Sequence, residues 1–100
     1  MKLSLIITTY NSPKFLKLVL DSVRRQVMLP DEVVIADDGS GEDTRKLIDE
    51  ERLTFPVPLL HVWQEDKGFR AAKSRNNGIK VSSGDYIVFI DGDILLDRRF

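Results

Sequence analysis

The chain has no cysteine, a single histidine, one tryptophan and only four prolines in its 100 residues. Without cysteine it can form no disulfide, thiol nucleophile or thiolate metal site, so any metal would have to be held by oxygen ligands. His61 has no second histidine or cysteine with which to share a metal, and is expected to be a strand histidine satisfied by a neighbour. Charge of one sign is also missing: 15 Lys and Arg face 16 Asp and Glu, for a net charge of -1. No overall field therefore draws the protein onto nucleic acid or an anionic membrane. Long apolar runs are absent too. The opening Met1-Lys2-Leu3-Ser4-Leu5-Ile6-Ile7 is too short for a signal peptide and meets Thr8-Thr9-Tyr10-Asn11 instead of a small-residue cleavage site. No segment approaches membrane-spanning length, and a cytoplasmic location is expected. Neither G-x-G-x-x-G nor G-x-x-x-x-G-K occurs, which leaves dinucleotide enzymes and P-loop ATPases unsupported.

What is present is the make-up of one soluble α/β domain, with 42% apolar residues. Leu3 to Ile7, Val33 to Ala36 and Tyr86 to Ile90 are β-branched or aromatic runs of the kind found in strands covered on both faces, and Leu59 to Trp63 is a weaker fourth. Between the first two, Leu16, Val19, Leu20, Val23 and Val27 follow helical spacing, with Ser12 placed to cap and Pro13 suited to the first helical position. Ser40-Gly41-Glu42-Asp43 matches a capping box opening a second helix through Leu47 and Ile48, a unit ended by Pro56 and Pro58. A third helix is expected from about Arg70 to Val81, with Ala72, Asn76 and Ile79 on one face. The order β-α-β-α-β-α-β predicts a mostly parallel, Rossmann-like sheet wound by right-handed crossovers. The chain stops at Arg98-Arg99-Phe100 in what reads as the start of another element, and truncation after the fourth strand is expected.

In such a sheet, ligands sit beyond the carboxyl ends of the strands, where turns offer free N–H groups and helix N-termini. Three polar clusters fall there: Thr8-Thr9-Tyr10-Asn11, Asp37-Asp38-Gly39-Ser40 and Asp91-Gly92-Asp93. Taken singly, each is an ordinary turn. Their coincidence at one edge carries the functional argument. Asp91 and Asp93 can flank a hard divalent cation that bridges diphosphate oxygens, with Gly92 allowing close backbone approach. Adjacent Asp37 and Asp38 would repel at a buried edge, which suggests that one of them accepts a hydrogen bond from a ligand such as a base N–H. Tyr10 offers a flat face on which a base can stack. Arg70, a cation at a helix start, calls for an anionic neighbour such as a diphosphate or Asp38. Asn76 is expected to brace backbone near the last strand's turn.

Ile7-Thr8-Thr9-Tyr10-Asn11, Ile35-Ala36-Asp37-Asp38-Gly39-Ser40 and Asp91-Gly92-Asp93 resemble the family 2 glycosyltransferases of GT-A fold. Gln64-Glu65-Asp66-Lys67-Gly68-Phe69-Arg70 and Ser74-Arg75-Asn76-Asn77-Gly78-Ile79 resemble the bacterial subset related to chondroitin and hyaluronan-type polymerases. These segments span almost the whole chain in the expected order. The resemblance implies a nucleotide pocket lined by Thr8 and Tyr10, with Tyr10 beside uracil, Asp38 on the base edge and Arg70 near the base or diphosphate. It implies Asp91 facing ribose or sugar and Asp93 ligating Mn²⁺ or Mg²⁺. The first strand would lie between the second and the last, so the clusters converge at the switch point. The implied reaction is inverting transfer from a UDP-sugar to the hydroxyl of a saccharide or other acceptor. In the family the general base and acceptor surface belong to the second half of the domain. The chain is therefore expected to bind nucleotide weakly, to turn over little and to self-associate through apolar surface left bare. Membrane association, if any, would belong to a longer protein.

Other readings fit less well. A nucleotidyltransferase wants a glycine-rich basic loop where Thr8-Thr9-Tyr10-Asn11-Ser12-Pro13 stands, and a signalling receiver wants its acidic pair after the first strand. A binding module without catalysis would show metal-dependent UDP binding and no turnover.

Overall fold

The computed structural model describes residues 2–65 and 71–91. Their order is β1 (Leu3–Thr9), α1 (Pro13–Arg24), β2 (Glu32–Asp37), α2 (Glu42–Arg52), β3 (Leu59–Trp63), α3 (Ala71–Val81) and β4 (Tyr86–Asp91). The four strands form one sheet in the order β3-β2-β1-β4, and every pairing is parallel. The parallel winding follows from the element order, and β1 lies between β2 and β4 as the family resemblance implies.

Strand alternation divides the core into two layers. Leu5, Ile7, Val33, Ile35, Leu59 and Ile90 pack with Leu16, Val19, Leu20 and Val23 of α1 and Ile48 of α2. On the opposite face, Ile6, Val34 and Ala36 form a second cluster with Val62 and Ile87 against it. Each fully buried aliphatic side chain stabilises the fold by roughly 1.5–3 kcal/mol, so β1 and β2 are the rigid centre on which the strand ends are mounted. Cover on both faces holds for β2 throughout and for most of β1. It does not hold at the flanks, where Trp63, Tyr86 and Phe89 stay about half exposed.

Helix α3 packs against β1, β2 and β3. The face foreseen through Asn76 and Ile79 is a correction, because both are exposed. Ser74 and Gly78, four residues apart, are buried instead. A methyl group at Gly78 would stand 3.0 Å from Ile6 Cγ2 and 3.4 Å from the Ala36 Cβ, so glycine lets the helix axis approach the sheet.

Helix ends also differ from expectation. Val27 lies beyond the end of α1 and is 70% exposed. Ser12 occupies the N-cap position, but its hydroxyl donates to the Tyr10 carbonyl at 3.0 Å and caps no helical N–H. No capping box forms at α2: Gly41 is the N-cap, and the Ser40 hydroxyl accepts from the Asn11 N–H at 2.7 Å. In both places the side chain serves a loop contact in preference to the local cap.

At the amino end of the sheet, Glu32 is buried and ties three segments together. Its Oε2 accepts from the Ser4 hydroxyl and the Ser83 N–H, each at 2.6 Å, and its Oε1 from the Ser83 hydroxyl at 3.0 Å. Burial alone would push this carboxyl's pKa up. The hydrogen bonds from Ser4 and Ser83, helped by the charge of Lys2, outweigh it and hold the pKa below the ordinary value.

Candidate functional site

All four strands point their carboxyl ends the same way, which brings Thr9, Asp37, Trp63 and Asp91 to one edge. In register, Thr8 stands opposite Asp91, Thr9 opposite Asp37, and Asp37 opposite Trp63. The β1–β2 connection leaves β1 on one side, while β4 joins it on the other. This is the switch point where open parallel sheets bind ligands.

The turn after β2 is braced from the face of the sheet that carries Asp37, His61 and Trp63. Asp37 is fully enclosed; its Oδ1 accepts the Ser40 N–H at 2.9 Å and its Oδ2 lies 2.8 Å from His61 Nε2. His61 is thus the satisfied strand histidine the sequence implies. Trp63 donates its indole N–H to the Ser40 carbonyl at 2.9 Å. Gly39 turns the chain with a φ of 94°, a left-handed conformation costly for a residue with a Cβ.

Asp38 continues the ladder, its N–H donating to the Thr9 carbonyl at 3.0 Å. One residue further along the strand direction, its side chain belongs to the face opposite Asp37. There Gln64 Nε2 donates to Asp38 Oδ1, and Asn77 Nδ2 donates to Gln64 Oε1 at 3.1 Å. The two adjacent carboxylates therefore do not compete for one space. Their expected repulsion is relieved by alternation, with Asp37 serving the turn and Asp38 lying at the α3 side, 7% exposed.

The loop after β1 is locked to this turn. Asn11 sits at a φ of 45°, accepts the Gly41 N–H on its Oδ1 at 2.9 Å and donates its own N–H to Ser40 Oγ. Tyr10, next to it, is 48% exposed at the same edge, and Thr8 is half-buried. The structure thus brings Thr8, Tyr10, Asn11, Asp37 and Asp38 to one edge and carries the backbone of Asp91 there beside Thr8. Arg70, Gly92 and Asp93 lie outside the described residues. Among the described residues no group of three or more His, Asp or Glu side chains could hold a metal. A metal reading therefore rests on the acidic segment that leaves β4.

Sequence reasoning passed over Gln64, Trp63 and Asn77 as members of this edge. The available signal was position: Trp63 and Gln64 stand where the third strand ends, as the other clusters stand at theirs. Asn77, one residue past the asparagine singled out, reaches the site in its place.

Comparison with known proteins agrees with this geometry. The family model described as glycosyl transferase family 2 matches residues 4–100. The chain is 38% identical over 102 aligned residues to a validoxylamine A glucosyltransferase of Streptomyces hygroscopicus subsp. limoneus, covering 98% of the chain and 22% of that protein. It is 36% identical over 93 residues to a hyaluronan synthase of Pasteurella multocida, covering 92% of the chain and 9% of that protein. The chain therefore spans less than a quarter of the length of these relatives. Among solved structures, S. aureus TarS in complex with UDP-GlcNAc superposes with a TM-score of 0.84 and 31% identity over 98% of the chain and 28% of that structure. A mannosyltransferase of Pyrobaculum calidifontis in complex with GDP-Man and Mn²⁺ also gives a TM-score of 0.84, at 27% identity over 97% of the chain and 29% of that structure. Parallel sheet, strand order, site-edge clusters and these matches together make the chain a member of glycosyl transferase family 2, with the Rossmann-like sheet of the GT-A fold.

Proposed function

We propose that the chain is the donor-binding portion of an inverting glycosyltransferase that takes a UDP-sugar, with Mn²⁺ or Mg²⁺, and passes the sugar to an acceptor hydroxyl. The observation that carries this reading is the meeting of Thr8, Tyr10, Asn11, Asp38 and the end of β4 at one sheet edge. The bound UDP-GlcNAc and GDP-Man of the two structural relatives support a nucleotide-sugar as the ligand class.

In this reading the Tyr10 ring, half exposed beside the turn, stacks on the base. Asp38 accepts from the imide N–H of uracil, and Arg70 pairs with the diphosphate. Asp93, with Asp91, would hold the cation, which when bound neutralises charge on the departing nucleoside diphosphate. Asp37 contributes indirectly by fixing the turn that carries Asp38. The acceptor surface and general base belong to a further part of the whole enzyme, so the 100-residue chain alone binds donor weakly and turns over little or nothing.

Calorimetric titration of UDP into the chain, with Mn²⁺ and again with chelator, tests the reading. Metal-dependent binding that disappears in Asp93→Ala supports it. Absence of binding in both conditions refutes a donor site in this chain, and glycosyl transfer by the chain alone refutes its catalytic incompleteness.

A further inference from the structure

Asp38 is held by a relay that no turn requires. The turn itself is already fixed through Asp37, His61, Ser40 and Trp63 on the opposite face of the sheet. The relay from Asp38 through Gln64 to Asn77 joins the ends of β2 and β3 to α3, and all of it is buried or half-buried. Its polarity is defined. Asn77 Nδ2 donates to Gln64 Oε1, so the other end of the Gln64 amide must present its NH₂ group. That NH₂ is what meets Asp38 Oδ1. With the amide reversed, a carbonyl oxygen would face a carboxylate, which is repulsive at a site of low exposure.

We propose that Gln64 and Asn77 are positioning residues for base selection: Asn77 orients the Gln64 amide, and Gln64 fixes the Asp38 carboxylate as an acceptor aimed at an imide N–H. This rests on the donor-site reading above. A carboxylate has acceptor room for several donors, so the Gln64 contact aligns Asp38 without using it up. The ligand class selected is a nucleotide whose base carries a ring N–H at the recognised edge, as uracil does. Cytosine presents a bare ring nitrogen there and would leave two acceptors facing each other.

The test compares UDP and CDP affinities, with Mn²⁺ present, in the wild type and in Gln64→Leu, Asn77→Ala, Asn77→Asp and Asp38→Ala. One hydrogen bond to a charged group corresponds to roughly tenfold or more in affinity, so the wild type should favour UDP by at least about tenfold. In Gln64→Leu that preference should fall to about twofold or less, because UDP weakens while CDP hardly changes. Asn77→Asp should lose more preference than Asn77→Ala. A carboxylate at position 77 accepts from the Gln64 NH₂ and turns the amide so that its oxygen faces Asp38, whereas alanine only frees it.

A purely structural role would weaken both nucleotides in parallel, and that result overturns the proposal. Asn77→Ala guards against a folding failure, since it places a strong helix former on a half-buried helix position. If Asp38→Ala abolishes UDP binding while Gln64→Leu and Asn77→Asp keep the wild-type preference, the relay has no positioning role and the donor site stands. If Asp38→Ala binds UDP as well as the wild type, Asp38 is not the base contact and the positioning proposal falls, while the donor site stands on the UDP binding itself.

Discussion

Asn11 and Ser40 hold the loops after β1 and β2 together: the Asn11 N–H donates to Ser40 Oγ at 2.7 Å, and Asn11 Oδ1 accepts the next N–H, that of Gly41, at 2.9 Å. The pairing explains why a non-glycine residue is tolerated at a φ of 45°. Asparagine enters the left-handed region more cheaply than most residues, and its amide here repays the cost. Asn11→Ala should therefore lose about 2 kcal/mol of stability, combining one lost hydrogen bond with left-handed strain. Asn11→Gly keeps the backbone geometry and should lose about 1 kcal/mol or less. Urea unfolding of the three proteins checks the order; an alanine variant as stable as the glycine variant would show that the loop conformation carries no strain.

Glu32 makes stability pH-dependent from the opposite end of the sheet. Its folded pKa lies below the ordinary value of 4.5, so its contribution is complete above that pH and is lost as the pH falls through the folded value. Glu32→Gln should lose about 1 kcal/mol at pH 7, because a neutral amide oxygen accepts from the Ser4 hydroxyl and the Ser83 N–H more weakly than a carboxylate does. The variant should also show a shallower decline of stability between pH 5 and pH 3, an interval of roughly two units around the unfolded carboxyl's titration. Equal acid slopes in the two proteins would remove Glu32 as a source of the pH dependence.

Much of this architecture is legible in the residues. Leu16, Val19, Leu20 and Val23 keep helical spacing and are buried as that spacing requires, and the continuous run from Val33 to Ala36 becomes a strand enclosed on both faces. What was not legible depends on partners distant in sequence. Ser40 has the local pattern of a cap, yet it gives its oxygen to Asn11, 29 residues away. Asp37 and Asp38 look like a repelling pair until the pleat sends them to opposite faces. Gln64 and Asn77 fall within segments that carry the family resemblance, but their link to Asp38 depends on α3 settling over β1 and β2 at Gly78.

The buried contact between His61 and Asp37 predicts a selective loss. His61→Leu removes one of two partners of a carboxylate with no exposed surface, which should cost about 1–3 kcal/mol. His61→Gln can still donate from a side-chain nitrogen and should recover part of the loss. Chemical denaturation measures both. If leucine proves neutral, Asp37 finds a replacement donor and His61 does not anchor the turn.

Trp63 supplies a reporter that is independent of catalysis. It is the protein's single tryptophan, its indole N–H is fixed to the Ser40 carbonyl, and the residue is 53% exposed at the carboxyl edge of the sheet. Fixed at one end and open at the other, the ring should respond to a change at the turn that bears Asp38. Under the donor-site reading, UDP with Mn²⁺ should alter its emission along a saturable curve that follows the calorimetric isotherm. Asp38→Ala keeps the fluorophore and should flatten the curve, which separates binding from simple absorption of the exciting light by the nucleotide. Trp63→Phe should lose the signal and about 1 kcal/mol of stability with the indole hydrogen bond, while retaining UDP affinity to within about threefold. A fluorescence change that persists undiminished in Asp38→Ala would place the nucleotide elsewhere on the protein, because the turn would then be responding to a ligand that its own carboxylate does not hold.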